Sequence, residues 1–388
     1  MKIGIITFWQ SNDNYGQVLQ CLALQQYLIN LGHKPFLIKY APTGNSPVKK
    51  GSIIKRILKV LLVFPAIRTY KKYKEKKENL RFAEIIEVKN KKREFDKFRS
   101  EHIAATDKVY HSIEELRACP PEADCYITGS DQVWIMTLAN EHNKGYFLDF
   151  GPKNVKRVSY AASFSRYDYP KELLPVLKEM LSHFDAISVR EESGVEICKA
   201  IGIEAKHVVD PTLLMNMDFY KHIASSARIQ DSKFAYLYLI NIKNKDEIYW
   251  AKLSKYIAKK GIKPIVTTSS GHFPGRELIT DVEYVYATIP EWLSYIDKSE
   301  FVATTSFHGL VLSLIHNKNF VYFPLKGHNS QGNTRITSLL SDLDLENKIC
   351  RSANDVVKCI DSKVDWEKVN ARLEKLIENS RDFIDNAL

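Results

Sequence analysis

The chain is poor in the features that would fix its class at once. Its 388 residues include only six cysteines, 16 glycines and 14 prolines. Cys21, Cys119, Cys125, Cys198, Cys350 and Cys359 are scattered, with no C-x-x-C and no Cys/His cluster at zinc spacing. That excludes a disulfide scaffold and a zinc module and points to free thiols in a reducing cytoplasm. The low glycine and proline content excludes a collagen-like or linker-rich chain. No run of about 18 uncharged apolar residues exists, so no transmembrane helix is expected. The opening MKIGIITFW has no basic n-region and cleavage site, so no signal peptide is expected. The chain has no G-x-G-x-x-G and no G-x-x-x-x-G-K-[ST], which excludes the dinucleotide fingerprint and the P-loop. G-x-S-x-G and H-E-x-x-H are missing too, so nothing suggests a hydrolase of those kinds, and no metal site is expected.

What is present suits a soluble globular protein: 45% hydrophobic and 26% charged residues. At about 100–200 residues per domain, the length suggests two domains. The net charge is +10, and residues 49–81 hold twelve Lys or Arg against two Glu, the whole of that excess. Within this segment Ser52–Ile67 reads as an amphipathic helix, too short to span a bilayer, followed by a lysine run. One reading is an interfacial helix with a polybasic tail on an anionic membrane surface. The other is a helix packed on its own domain with a solvated charged end. Nucleic acid is disfavoured, because aromatic residues are not interleaved as stacking platforms.

Elsewhere the pattern is α/β. Lys2–Phe8, Gln17–Leu31 and Pro35–Tyr40 read as strand, helix, strand, a unit that implies a parallel sheet. Strands are expected at Cys125–Thr128, Val155–Ala162, Ala186–Val189 and His207–Val209, each ending in polar residues. In open parallel sheets that edge is where ligands bind. A second α/β unit is expected from Lys233, with strands at Phe234–Ile240, Lys263–Thr268, Glu283–Tyr286, Phe301–Thr304 and Phe320–Pro324. A single helix is expected over Lys245–Lys260 and a last one over Asp365–Phe383. The expected division is 1–215, carrying a basic helical insertion at about 46–100, and 216–388, with the last helix packing back on the first domain. Two parallel-sheet domains facing a cleft resemble the GT-B arrangement.

Candidate chemistry gathers at the strand ends. Thr304–Gly309 (TTSFHG) places free N–H groups, the Ser306 hydroxyl and the His308 imidazole at a helix start, an anion site with a proton donor beside it. Gly309 would admit a ligand closely. The plainer reading is a serine cap and a buried structural histidine. Arg190 follows a buried strand, where a guanidinium can grip a carboxylate or phosphate with two parallel hydrogen bonds. Otherwise it pairs with Glu191 or Glu192. Gly129–Gln132 offers Ser130, Asp131 and Gln132 on a tight turn, with Asp131 as a base, a hydroxyl ligand or only a turn former. Asn12–Gln17 joins the first strand to the first helix. Lys326–Arg335 is polar and follows a core strand, so it is either a lid carrying Lys326 and Arg335 to the cleft or a surface loop.

The segments NYGQVLQCLALQ, ITGSDQVW, YAASF, ISVREESG, VVDPTLL, TTSFHG and NTRITSLL occur in an order that resembles the polysaccharide pyruvyltransferase family. The resemblance covers about residues 1–45 and 120–345 and leaves Lys49–Ser100 outside. It implies a GT-B-like fold and transfer of pyruvate from phosphoenolpyruvate onto two hydroxyls of a sugar, with no cofactor. Some relatives carry Arg-Leu-His where this chain has Ser306-Phe307-His308, so Arg335 or Lys326 would replace the missing cation. On this reading His308 is the general acid and Asp131 orients or deprotonates the acceptor. Arg190, Ser306, Phe307, Gly309, Arg335 and Lys326 hold the donor. Asn14, Tyr15, Gln17, Ser130, Gln132 and Ser163 hold a saccharide acceptor, often lipid-linked, at the inner face of the membrane. The alternatives are a metal-independent GT-B glycosyltransferase using a nucleotide sugar and an inert membrane-surface protein.

Overall fold

Short apolar runs bounded by polar turns become strands that pair only in parallel. In a computed structural model of the chain, the described residues are 1–11, 14–42, 87–135, 138–229, 232–269 and 277–388, the side chains of 328 and 329 excepted. The expected amphipathic helix at 52–67 and its lysine run lie outside the described residues.

The first sheet holds β1 (Lys2–Ile6), β2 (Lys34–Tyr40), β3 (Ala105–Tyr110), β4 (Cys125–Thr128), β5 (Lys156–Ala162), β6 (Ala186–Val189) and β7 (Lys206–His207). The second holds β8 (Phe234–Ile240), β9 (Lys263–Ser269), β10 (Glu283–Tyr284), β11 (Phe301–Thr304) and β12 (Phe320–Tyr322). Their orders are β3-β2-β1-β4-β5-β6-β7 and β10-β9-β8-β11-β12. The strand order therefore reverses between β1 and β4 and again between β8 and β11. A crevice opens beyond the carboxyl ends of the strands at such a reversal.

The helices of the first unit are α1 (Tyr15–Asn30), α2 (Phe95–His102), α3 (Ile113–Ala118), α4 (Leu174–Leu181) and α5 (Glu192–Ala200). Then follow α6 (Met217–Ala224), α7 (Trp250–Lys259), α8 (Ile289–Lys298), α9 (Phe307–Ile315), α10 (Thr334–Asp342), α11 (Asp355–Asp361) and α12 (Trp366–Ala387).

One hydrophobic core runs through both units, including Ile3 and Tyr160 from the first sheet and Tyr236 and Val302 from the second. Tyr15 stacks on Trp292 across the junction, with ring centroids 4.9 Å apart. The last helix lies against the first unit: Val209 N–H donates to Ser380 Oγ at 2.9 Å, and Tyr27 Oη donates to Asp385 at 3.0 Å.

The end of the expected insertion packs on both units: Phe95 and Phe98 are buried, and the buried Arg93 donates to Tyr15 Oη (3.0 Å) and Thr268 O (2.6 Å). One expectation needs correction: Lys245–Lys260 is not one helix, since a left-handed residue, Tyr249 (φ 50°), ends a 3₁₀ turn before α7 begins. The strand β3 was not expected, because as an edge strand it is mostly exposed and carries no apolar alternation.

Candidate functional site

The carboxyl ends of β4, β6, β7 and β11 bring their polar residues to one point, and α1 and α10 close over it. Asp210, just past β7, is fully buried at its centre. Its Oδ1 accepts from Thr212 N–H (3.1 Å) and Thr212 Oγ1 (2.8 Å). Its Oδ2 accepts from Arg190 Nη1 (2.6 Å) and Ser130 Oγ (3.0 Å) and lies 3.5 Å from His308 Nε2. Burial alone would raise its pKa, but His308, Arg190 and the Thr212 amide together hold it far below the ordinary carboxylate value.

Arg190 bridges two carboxylates, its Nη2 donating to Asp131 Oδ1 at 3.3 Å. Burial would lower its pKa, yet Asp210, Asp131 and Glu191 raise it, so the guanidinium stays charged. Asp131 is likewise driven up by burial and held below its usual value by Arg190, His308 and Arg335. Its left-handed backbone (φ 73°) follows from the tight turn after β4. Arg335, in the first turn of α10, has its pKa pulled down to about 10 by burial and by Arg190. The Arg190 and Arg335 guanidiniums lie 4.8 and 5.4 Å from the centre of the Phe307 ring. Gln132, with its amide oxygen turned toward Arg335, accepts from both Nη atoms, Nη2 at 2.9 Å. The Nε–H of Arg190 and of Arg335 is buried without a partner among the described residues.

His308 is buried in the first turn of α9, and the first turn of α1 lies against its ring. A Cβ added at Gly16 would fall 2.0 Å from His308 Nδ1, so only glycine fits there. Glu191 is buried as well. Its Oε1 accepts from Ser163 Oγ (3.0 Å) and Ser165 N–H (2.8 Å), and its Oε2 is buried without a partner among the described residues.

The structure thus brings His308, Asp131, Arg190, Phe307, Arg335 and Gln132 together. Asn14 and Gln17 flank Gly16 and are partly exposed. Other residues expected at the site have different work. The Tyr15 hydroxyl donates to Ala287 O (2.6 Å) inside the core. Ser130 donates to Asp210 and Ala161 O, and Ser163 donates to Glu191, so both hydroxyl protons are already engaged. The Ser306 hydroxyl caps α9 by accepting from Gly309 N–H at 3.4 Å. Gly309 admits no ligand: a Cβ there would meet Thr304 Oγ1 at 2.6 Å, so the missing side chain serves packing of helix on strand. Lys326 is exposed, with its ammonium 4.8 Å from the centre of the Tyr249 ring, on the side chain of another element. Arg190 already gives one N–H of Nη1 to Asp210 and one of Nη2 to Asp131, so its position is set by carboxylates of the chain itself. Sequence reasoning missed Asp210, Glu191 and Gly16. For Asp210 the signal was available: an Asp-Pro at a strand end beside three other polar strand ends.

Among the described residues, no group of three His, Cys, Asp or Glu could hold a metal ion, and no helix is long and apolar enough to cross a membrane. A family model described as polysaccharide pyruvyl transferase matches residues 14–327. No curated protein matches. Among solved structures, a UDP complex of Staphylococcus aureus MnaA shares 10% identity over 97% of this chain and 91% of its own, at TM-score 0.48. A UDP-GlcNAc-bound 2-epimerase from Neisseria meningitidis shares 9% over 100% and 99%, at 0.46. Acinetobacter baumannii MurG shares 8% over 100% and 98%, at 0.43.

Proposed function

Because the chain belongs to the polysaccharide pyruvyl transferase family, we propose that it moves pyruvate from phosphoenolpyruvate onto two hydroxyls of a surface polysaccharide or its lipid-linked precursor, closing a ketal. One observation carries the reading. Two guanidiniums face Phe307 with unpartnered Nε–H groups, beside a histidine at a helix start. Phosphoenolpyruvate is a small anion with a carboxylate and a phosphate, and buried N–H donors of this kind stabilise it.

In this mechanism His308 gives a proton to the donor's methylene carbon, and C2 becomes cationic. One sugar hydroxyl attacks C2 and loses its proton. Phosphate then leaves, and a second hydroxyl closes the ring as its proton departs. Of the two hydroxyl protons, one restores His308 and one leaves with phosphate. Asp131 is ionised and orients the attacking hydroxyl. Asp210 holds Arg190 and stabilises the imidazolium. The basic segment 49–81 would rest on an anionic leaflet at the inner membrane face, close to lipid-linked acceptors.

The test incubates purified protein with phosphoenolpyruvate and lipid-linked glycan extracts. Release of inorganic phosphate, together with a glycan heavier by one pyruvate ketal, is expected. Release of a nucleoside diphosphate from a nucleotide sugar, with phosphoenolpyruvate untouched, would overturn the reading.

A further inference from the structure

A cleft of about 320 Å³ opens beside the buried centre, between the starts of α5 and α10. Tyr167, Glu191, Glu192, Ser193, Thr334 and Thr337 line it. Each wall is continuous with a guanidinium of the centre, since Glu191 follows Arg190 and Thr334 precedes Arg335. The two walls come from different units, so the cleft exists only when the units are docked.

The chemistry of this cleft differs from that of the centre. Glu191 is 1% exposed, and its Oε2 has no partner among the described residues. A buried carboxylate oxygen without a hydrogen bond is costly, and a donor that reaches it is correspondingly favoured. The Ser193 hydroxyl is also buried without a partner among the described residues. Thr337 Oγ1 gives its proton to the backbone carbonyls of Thr334 and Asn333, which leaves a lone pair free to accept. Two carboxylates, Glu191 and Glu192, disfavour an anion here. A neutral ligand with several O–H donors is favoured instead. At the rim Tyr167 is 71% exposed, an aromatic face held in water. An aromatic platform beside a carboxylate and hydroxyls fits a sugar ring, whose C–H face is apolar and whose edge carries hydroxyls.

We propose that this cleft is the acceptor subsite: Glu191 Oε2 accepts a hydroxyl hydrogen bond from a neutral saccharide that lies against Tyr167. The proposal rests on the saccharide acceptor of the preceding section and adds where the sugar sits. It also separates the carboxylates, with Asp131 meeting the reacting hydroxyl at the centre and Glu191 holding the ring at the mouth.

Saturation-transfer NMR on the full chain tests the subsite without any donor. The probes are methyl glycosides of glucose, galactose, mannose and their N-acetylamino counterparts. Wild type should show transfer to at least one of them. Glu191→Gln keeps a carbonyl oxygen for Ser163 and Ser165 but replaces the free acceptor by a donor. It should weaken that sugar about tenfold to a hundredfold, as expected for losing a hydrogen bond to a charged group. Tyr167→Ala, at an exposed position where folding is not at stake, should weaken the same sugar. Transfer unchanged in Tyr167→Ala, or in a folded Glu191→Gln, would overturn the subsite, as would no transfer from any probe to wild type. Phosphate release from phosphoenolpyruvate with glycan extract, measured on the same preparations, tests the donor reading separately. Phosphoenolpyruvate consumption with sugar binding indifferent to both variants sinks only the cleft. Sugar binding that both variants weaken, with no consumption in wild type, sinks only the donor.

Discussion

Placing one methyl group at Gly16 tests whether the position of the His308 ring governs turnover. The Cβ of Gly16→Ala would lie 2.0 Å from Nδ1, 2.2 Å from Cγ and 2.7 Å from Cε1 of His308. Ordinary contact begins near 3.4 Å, so the ring must retreat by about 1.4 Å, the difference between 3.4 and 2.0. On its other side stands Asp210, 3.5 Å from Nε2, which leaves little room. The helix cannot yield easily either, because Tyr15 is stacked on Trp292 and bonded to Ala287 O. A misplacement of about 1 Å costs on the order of a hundredfold in rate. Stability should change far less. Overpacking costs about 1–3 kcal/mol, while alanine is the better helix former by about 1 kcal/mol. The expected variant is folded, melts a few degrees lower, and releases phosphate from phosphoenolpyruvate at about a hundredth of the wild-type rate or less. Adding Gly16→Ala to His308→Ala should cost no further stability, since the clash partner is gone. A folded Gly16→Ala with more than a third of wild-type activity would refute the reasoning.

Four further outcomes are expected. Asp210→Asn should lower unfolding free energy by about 3–5 kcal/mol, because Arg190 loses a buried partner, and should slow turnover. Since the folded-state pKa of Asp210 lies below its ordinary 3.8, its stabilising share is present above that value and lost as pH falls beneath it. Denaturation between pH 5 and 2, read with about half-unit steps, should therefore show a shallower acid loss in the variant than in wild type. Arg190→Lys keeps the charge but cannot span both Asp131 and Asp210; the KM for phosphoenolpyruvate should rise with little change in the acceptor KM, and the reverse pattern would move Arg190 to the sugar site. Lys348 is buried, its ammonium donating to Asn319 Oδ1 (2.7 Å), Cys359 O (3.0 Å) and Ser362 O (2.6 Å), and burial lowers its pKa from 10.5 to about 8. Between these values the unfolded chain binds more protons, so wild-type stability should gain with rising pH; Lys348→Met, leaving three acceptors unmet, should lose about 3 kcal/mol and the gain as well, by urea denaturation. Changing Lys71, Lys72, Lys74, Lys76 and Lys77 to Gln should release the protein from anionic vesicles, each lysine contributing about 1 kcal/mol near such a surface; unchanged sedimentation would show that the run does not bind membrane.

Much of the architecture was legible in the sequence because parallel strands are buried on both faces. Runs such as Phe234–Ile240 and Phe301–Thr304 are nearly all apolar, and the polar residues that end them mark one edge of each sheet. For that reason Asp131, Arg190 and His308 could be picked out from local pattern alone. β3 escaped because an edge strand needs little apolar surface, and the burial of Phe95 and Phe98 on α2 escaped because they follow a basic run that masks them. The division of labour within the site was not legible, because it depends on atoms far apart in the chain. Nothing local to Ser130 or Ser163 says that its hydroxyl proton is already given to a carboxylate 80 or 28 residues away. Nothing in NYGQ says that Gly16 makes room for a histidine nearly three hundred positions later. The sequence by itself determined most of the elements that form, which strand edge is polar and which family the chain resembles. Only the tertiary structure decided which of those polar groups meet, because burial makes each one satisfy its hydrogen bonds with whatever neighbour the docked sheets supply.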